Sequence, residues 1–174
     1  MSEFSQSYHL RTSDKEEVIT LLKRSGKHGY VFEPTNGWVT FVVADGDFSA
    51  DEEVTKQNRG TLVHYVYAED HGWELLVYHS NQIVFDFNCA WEDDLVIKAE
   101  KLDVNVIAKL ILEQGNAVEN FESIFEIKDI EELFALETPP AFLIADLLGI
   151  IHYNWISYEN VHDDPSFFQG LTEI

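Results

Sequence analysis

Between Thr61 and Phe87 the chain alternates. Thr61–Tyr67 carries Val63, Tyr65 and Tyr67, Trp73–His79 carries Trp73, Leu75 and Val77, and Ile83–Phe87 carries Ile83, Phe85 and Phe87. Successive side chains of a strand point to opposite faces, so three such runs in a row specify a meander with one buried apolar face. The connections Ala68-Glu69-Asp70-His71-Gly72 and Ser80-Asn81-Gln82 are short and polar, which makes the pairings antiparallel. The other face, with His64, Val66, Leu76, Tyr78 and Val84, is only partly polar. It is expected to be covered in part, by C-terminal helices or by another subunit.

Upstream, Ser7–Arg11 alternates and predicts a short strand. Ser13 with Glu16 three residues on reads as a capping box for a helix lined by Val18, Leu21 and Leu22 and stopped by Gly26. Tyr30-Val31-Phe32 and Trp38–Val43 flank Pro34-Thr35-Asn36-Gly37, a hairpin signal. Ser49 with Glu52 predicts a short helix to about Asn58. From about residue 95 the apolar period becomes that of a helix. Asp103 caps Val104, Ile107, Leu110 and Ile111; a second helix is expected from Asn116 with Val118, Phe121, Ile124 and Phe125; Ile130, Leu133 and Phe134 mark a third. Pro139-Pro140 opens a fourth, which Gly149 ends. Strands first and helices later predict an α+β fold, a mostly antiparallel sheet from residues 1–90 packed with a helical half from 95–150. With no repeat or linker, residues 1–174 are expected to form a single domain closed by an acidic, aromatic tail over 151–174.

Charge narrows the partners. Eleven Lys and Arg against 32 Asp and Glu give −21. Residues 1–60 hold 7 basic and 10 acidic side chains (−3), leaving 4 basic and 22 acidic (−18) for 61–174, and no Lys or Arg follows Lys128. Such a surface repels phosphate backbones and anionic lipid, so neither nucleic acid nor membrane is an expected partner. A basic protein is the partner class the field attracts, although acidity also serves solubility alone. The single Cys89, the absence of an apolar leader in Met1–Ser7 and the lack of a long apolar run predict a cytoplasmic protein.

Asp45-Gly46-Asp47-Phe48-Ser49-Ala50-Asp51 suggests a calcium loop, but Ala50 stands where glycine is required and Lys56 where a bidentate Glu is required. His64 and His79 fall on paired strands without being neighbours, and no HExxH, Walker A or G-x-S-x-G pattern occurs. Cys89 has no basic neighbour in sequence and reads as a buried thiol. No cofactor is expected. His152, His162, Asp163 and Asp164 are the residues from which a metal site could be assembled, with a polar tail as the plainer alternative. Tyr153, Trp155 and Tyr158, set among Glu159, Asp163 and Asp164, read as aromatic anchors rimmed by carboxylates for a basic partner.

Gly37-Trp38-Val39 opening a strand, the aromatic meander, and Leu147-Leu148-Gly149-Ile150 running on to Ser157-Tyr158-Glu159 resemble a group of small acidic bacterial proteins. That resemblance implies no activity and no site residue. In composition the chain is also similar to immunity proteins of bacterial toxin systems. The expected function is therefore a non-catalytic, immunity- or inhibitor-type binding protein for a basic partner. A metal-dependent hydrolase built from dispersed His and carboxylates is the first alternative, and a homo-oligomeric structural or regulatory domain the second.

Overall fold

The computed structural model describes residues 1–174. Its strands are β1 (Phe4–Arg11), β2 (Gly29–Val31), β3 (Trp38–Val43), β4 (Thr61–Ala68), β5 (Gly72–His79), β6 (Gln82–Trp91), β7 (Leu95–Lys98) and β8 (Thr172–Glu173). They form one sheet in the order β7-β6-β5-β4-β1-β3-β2-β8, and every pairing is antiparallel. With six α-helices packed on it, the chain is an α+β protein. No helix is long and apolar enough to cross a membrane.

The sheet reaches beyond residue 90, because β7 and β8 join its two edges. The first strand begins at Phe4 and takes the centre, between β4 and β3. Asn36 and Gly37, both left-handed (φ 55° and 75°), turn the chain between β2 and β3, as two-residue hairpin turns require. One alternation differs from the sequence pattern. Val77 faces Phe85 but Tyr78 faces Ile83, so a bulge at Val84 carries Ile83 to the face opposite Phe85 and Phe87.

Both early helices are capped by aspartate, one or two residues after the serines that read as caps. α1 (Lys15–Ser25) starts from Asp14, whose carboxylate accepts from the Glu16 N–H at 3.0 Å. α2 (Glu52–Gln57) starts from Asp51, which accepts from Glu53 and Val54 N–H. An aspartate caps as well as serine and adds a negative charge where the helix dipole favours one. α3 (Val104–Glu113), α4 (Ile130–Phe134), α5 (Pro140–Leu148) and α6 (Tyr158–Asp163) follow. The helix expected from Asn116 is only a 3-10 turn, Phe121–Phe125, entered through left-handed Asn120. That tight turn delivers Phe125 against Trp73, Phe85 and Phe87, with ring centroids 5.0–6.0 Å apart.

The two sheet faces carry separate cores. On the front face Trp38, Tyr65, Leu75, Phe85 and Phe87 pack against Ile107 and Ile111 of α3 and Ile144 and Leu148 of α5. Trp38 also donates its indole N–H to the Leu148 carbonyl at 2.7 Å. On the back face Tyr8, Leu10, Val39, Phe41 and Leu62 pack against Val18, Leu21 and Leu22 of α1 and Val54 of α2. The partial cover expected over the back face therefore comes from the N-terminal helices, while the C-terminal helices take the front. Each such fully buried side chain contributes about 1.5–3 kcal/mol of hydrophobic stabilisation. The tail adds a third cluster, with Ile156 and Val161 seated on Tyr30, Phe32 and Val42.

Candidate binding groove on the open sheet face

α1 and α2 cover the back face over β3, β1 and one end of β4 and β5. Toward the other end the same face is bare, and Glu74, Asn88 and Ala90 are half-buried while Val96 and Lys98 are exposed. A groove runs across it. Its inner part, about 310 Å³, lies over Val66, Ala68, Glu74 and Asn88. Its outer part, about 680 Å³, extends over Ala90 and Val96 to Glu92, Asp93 and Asp94 in the β6–β7 turn. Phe48 and His71 border both.

Phe48 stands on the loop between β3 and α2. Its backbone is left-handed (φ 70°), a conformation that a bulky side chain adopts at a cost. Two residues of β1 hold the strained segment in place. The Phe48 ring meets Phe4 at 4.8 Å between centroids, and Gln6 donates to the Ser49 carbonyl at 3.0 Å. Asp47 and Asp51, read above as possible calcium ligands, instead accept backbone N–H groups of Ser49, Glu53 and Val54. The outcome is a half-exposed aromatic wall above the groove.

A polar chain runs across four strands and ends in the groove floor. The Gln6 amide, donating one hydrogen to Ser49, offers the other to His64 Nε2 at 3.1 Å. An amide NH₂ can only donate, so Nε2 is the acceptor and the ring proton sits on Nδ1. His64 Nδ1 is fully buried and has no hydrogen-bond partner within ordinary geometry; Glu74 Oε1 stands 3.4 Å from it. Glu74 Oε2 in turn accepts from Asn88 Nδ2 at 3.1 Å. Glu74 and Asn88 line the groove, so a buried imidazole stands directly behind a groove carboxylate. Cys89 contributes no thiolate. Burial pushes its thiol up to about 11, leaving it protonated at neutral pH.

A second polar set, outside the candidates drawn from the sequence, lies on the front face of β1. Ser7 Oγ and His9 Nε2 are 2.9 Å apart, and His9 Nδ1 and Thr40 Oγ1 are 2.8 Å apart. The spacing suits a serine–histidine pair, but all three side chains are enclosed and the outer partner is a hydroxyl instead of a carboxylate. Burial, with repulsion from His152 and His64, lowers His9 to about 3. Further along, Glu3 Oε1 accepts from Ser5 Oγ and the Trp155 N–H, each at 2.8 Å, while Ser5 Oγ accepts from the Ile156 N–H at 3.1 Å. These polar residues give the tail's backbone the partners it needs where it crosses a buried strand. The alternation Ser5, Ser7, His9 in the sequence was the available signal.

The tail residues do not gather into one exposed patch. Tyr153 packs on Tyr65 and Phe142 and donates to Asp146 at 3.0 Å; burial pushes its phenol up to about 12. Tyr158 stacks on His162 and meets Tyr30 at a tilt. Trp155 is 40% exposed, at a left-handed φ of 56°. Glu159, Asp163 and Asp164 are exposed, and Glu159 flanks the far side of the Phe48 loop. His152 lies on Phe32 with centroids 4.5 Å apart, whereas His162 pairs with the Tyr30 hydroxyl at 2.9 Å. No three His, Cys, Asp or Glu side chains are arranged to hold a metal ion. No protein-family model, curated protein or solved structure matches the chain.

Proposed function

We propose that the chain is a non-catalytic acidic binding protein, of immunity or inhibitor type, that engages a basic segment of a protein partner in the groove of the open sheet face. The observation that carries this reading is the composition of that groove. An exposed aromatic wall (Phe48) and an apolar floor (Ala90, Val96) are bounded by three consecutive carboxylates, Glu92, Asp93 and Asp94, with Glu74 set deeper. Apolar floor suits the aliphatic stem of Lys or Arg, and the carboxylates suit its charged head. The net charge of −21 steers a cation toward the protein, and Glu159, Asp163 and Asp164 add to that field. At physiological salt the steering acts over about 8 Å, so close pairing at the rim must supply the selectivity.

The test is capture from a lysate of the source organism at low salt, comparing the natural chain with a Glu92→Lys, Asp93→Lys, Asp94→Lys variant. The natural chain should retain basic proteins that the variant loses, and a variant reversed at Asp163 and Asp164 should retain them more weakly. Equal recovery by the natural chain and the rim variant would remove the groove from the function.

A further inference from the structure

We infer that the partner segment binds as an added β-strand along the free edge of β7, with alternate basic side chains turned over the groove. This rests on the binding function proposed above and specifies its geometry. β7 ends the sheet, and its pairing with β6 sets Ala90 opposite Val96 and Asn88 opposite Lys98. The direction of the backbone groups follows from two bonds. Trp91 N–H donates to His71, on the β5 side of β6, and Asp86 N–H donates to Lys101, on the β7 side. From Phe85 onward, beyond the bulge, odd residues of β6 therefore face β5 and even ones face β7, so Val96 and Lys98 exchange bonds with β6. Leu95 and Ile97 direct their N–H and C=O groups outward.

That edge lacks the usual protection. Leu95-Val96-Ile97 is apolar and contains no proline, and Val96 and Ile97 are 47% and 40% exposed. Natural edge strands are commonly blunted by charge, proline or a covering element. Here the one charge within the strand is Lys98, while Glu92, Asp93 and Asp94 stand at the opposite end. An added strand would lay one set of side chains beside Ile97 on the front face. It would turn the other set over Val96 on the back face, with a cation at the turn end meeting the three carboxylates. Charge decides the occupant. A second copy would bring another −21 to the contact, whereas a basic segment is drawn to it.

The probe is a fluorescein-labelled, end-blocked peptide Lys-Val-Lys-Val-Lys-Val, titrated with the whole protein by anisotropy at low and physiological salt. A second peptide of identical side chains is N-methylated at alternate residues, which removes its ladder donors on one edge. Ile97→Pro deletes an outward N–H without touching the bonds to β6, as edge positions tolerate. The expected result is binding weakened roughly tenfold by Ile97→Pro and by peptide methylation, the scale of a lost ladder hydrogen bond and its neighbours. Peptide should also slow hydrogen exchange at Leu95 and Ile97, leaving Val96 and Lys98, already paired, unchanged. Should Ile97→Pro fail to fold, the methylated peptide and the exchange pattern still decide. Binding that the rim reversal abolishes, but that neither Ile97→Pro nor methylation weakens, overturns strand addition and leaves the groove function standing. No binding by either peptide overturns both. Sedimentation showing a dimer that Ile97→Pro dissolves would make the occupant a second copy, and would overturn the inference too.

Discussion

Acid should unfold this protein partly through one side chain, His9. Its ring is enclosed on the front face of β1 between Ser7 and Thr40, and burial lowers it from the usual 6.5 to about 3. Unfolded, the imidazole takes a proton near pH 6.5; folded, it resists until about pH 3. Between those values the unfolded state holds the extra proton, so the stability His9 protects is intact above pH 6.5 and lost as the pH falls. The full span corresponds to about 5 kcal/mol, comparable to the stability of a marginal domain. Integrated from pH 7 to about 4.5, the loss is about 2.5 kcal/mol. His152 is also lowered by burial, in the same direction, and is present in both proteins compared. The measurement is urea unfolding across this range for the natural chain and for His9→Gln, whose amide can still pair with both hydroxyls. The natural chain should lose about 2.5 kcal/mol more than the variant over that interval. Parallel pH profiles would refute the reasoning, as would a His9 ring that titrates near 6.5 in the folded protein by NMR.

Four further outcomes are expected. Tyr65→Phe should raise stability by about 1 kcal/mol in urea, because the Tyr65 hydroxyl is buried with no partner. Gly72→Ala should cost several kcal/mol, or prevent folding, because its Cβ would collide with the Cys89 carbonyl oxygen at a φ of 151°. Asp14→Ala should lower stability by about 1 kcal/mol through loss of the α1 cap, whereas Ser13→Ala should change little. Cys89 should react with a thiol reagent at neutral pH only as fast as the protein opens, since the thiol is buried and protonated.

The meander was legible because three runs shared one period and one buried face, and their turns were short. What surrounds it was less so. β7 is only four residues, too short for alternation to register, and it follows Glu92-Asp93-Asp94, which reads as solvent-facing loop. Val118, Phe121, Ile124 and Phe125 fit a helix by spacing, but the same spacing serves a single 3-10 turn. Ser5, Ser7 and His9 alternate openly in the sequence. Their burial follows from the central place of β1, which is a property of sheet order and not of any local pattern. The groove draws on three separate segments, with Phe48 from one loop, Glu74 from β5, and Asn88 and Glu92 from β6 and its turn, so no short motif could mark it.

The central position of β1 also sets an order of assembly. β2 with β3, and β4 through β7, can each pair from neighbours close in sequence. β1 cannot, because its partners are Trp38–Phe41 on one side and Leu62–Ala68 on the other. The sheet is thus two locally folded ribbons with a seam between them, and β1 is the strand that closes it. Closing it requires long loops to be fixed before their contacts form, which slows folding. A destabilising change in β1 should therefore act on the folding rate if the seam closes in the transition state, and on the unfolding rate if it closes later. In either case the two ribbons, left unsewn, would each expose a long strand edge to any neighbour that could fill the gap.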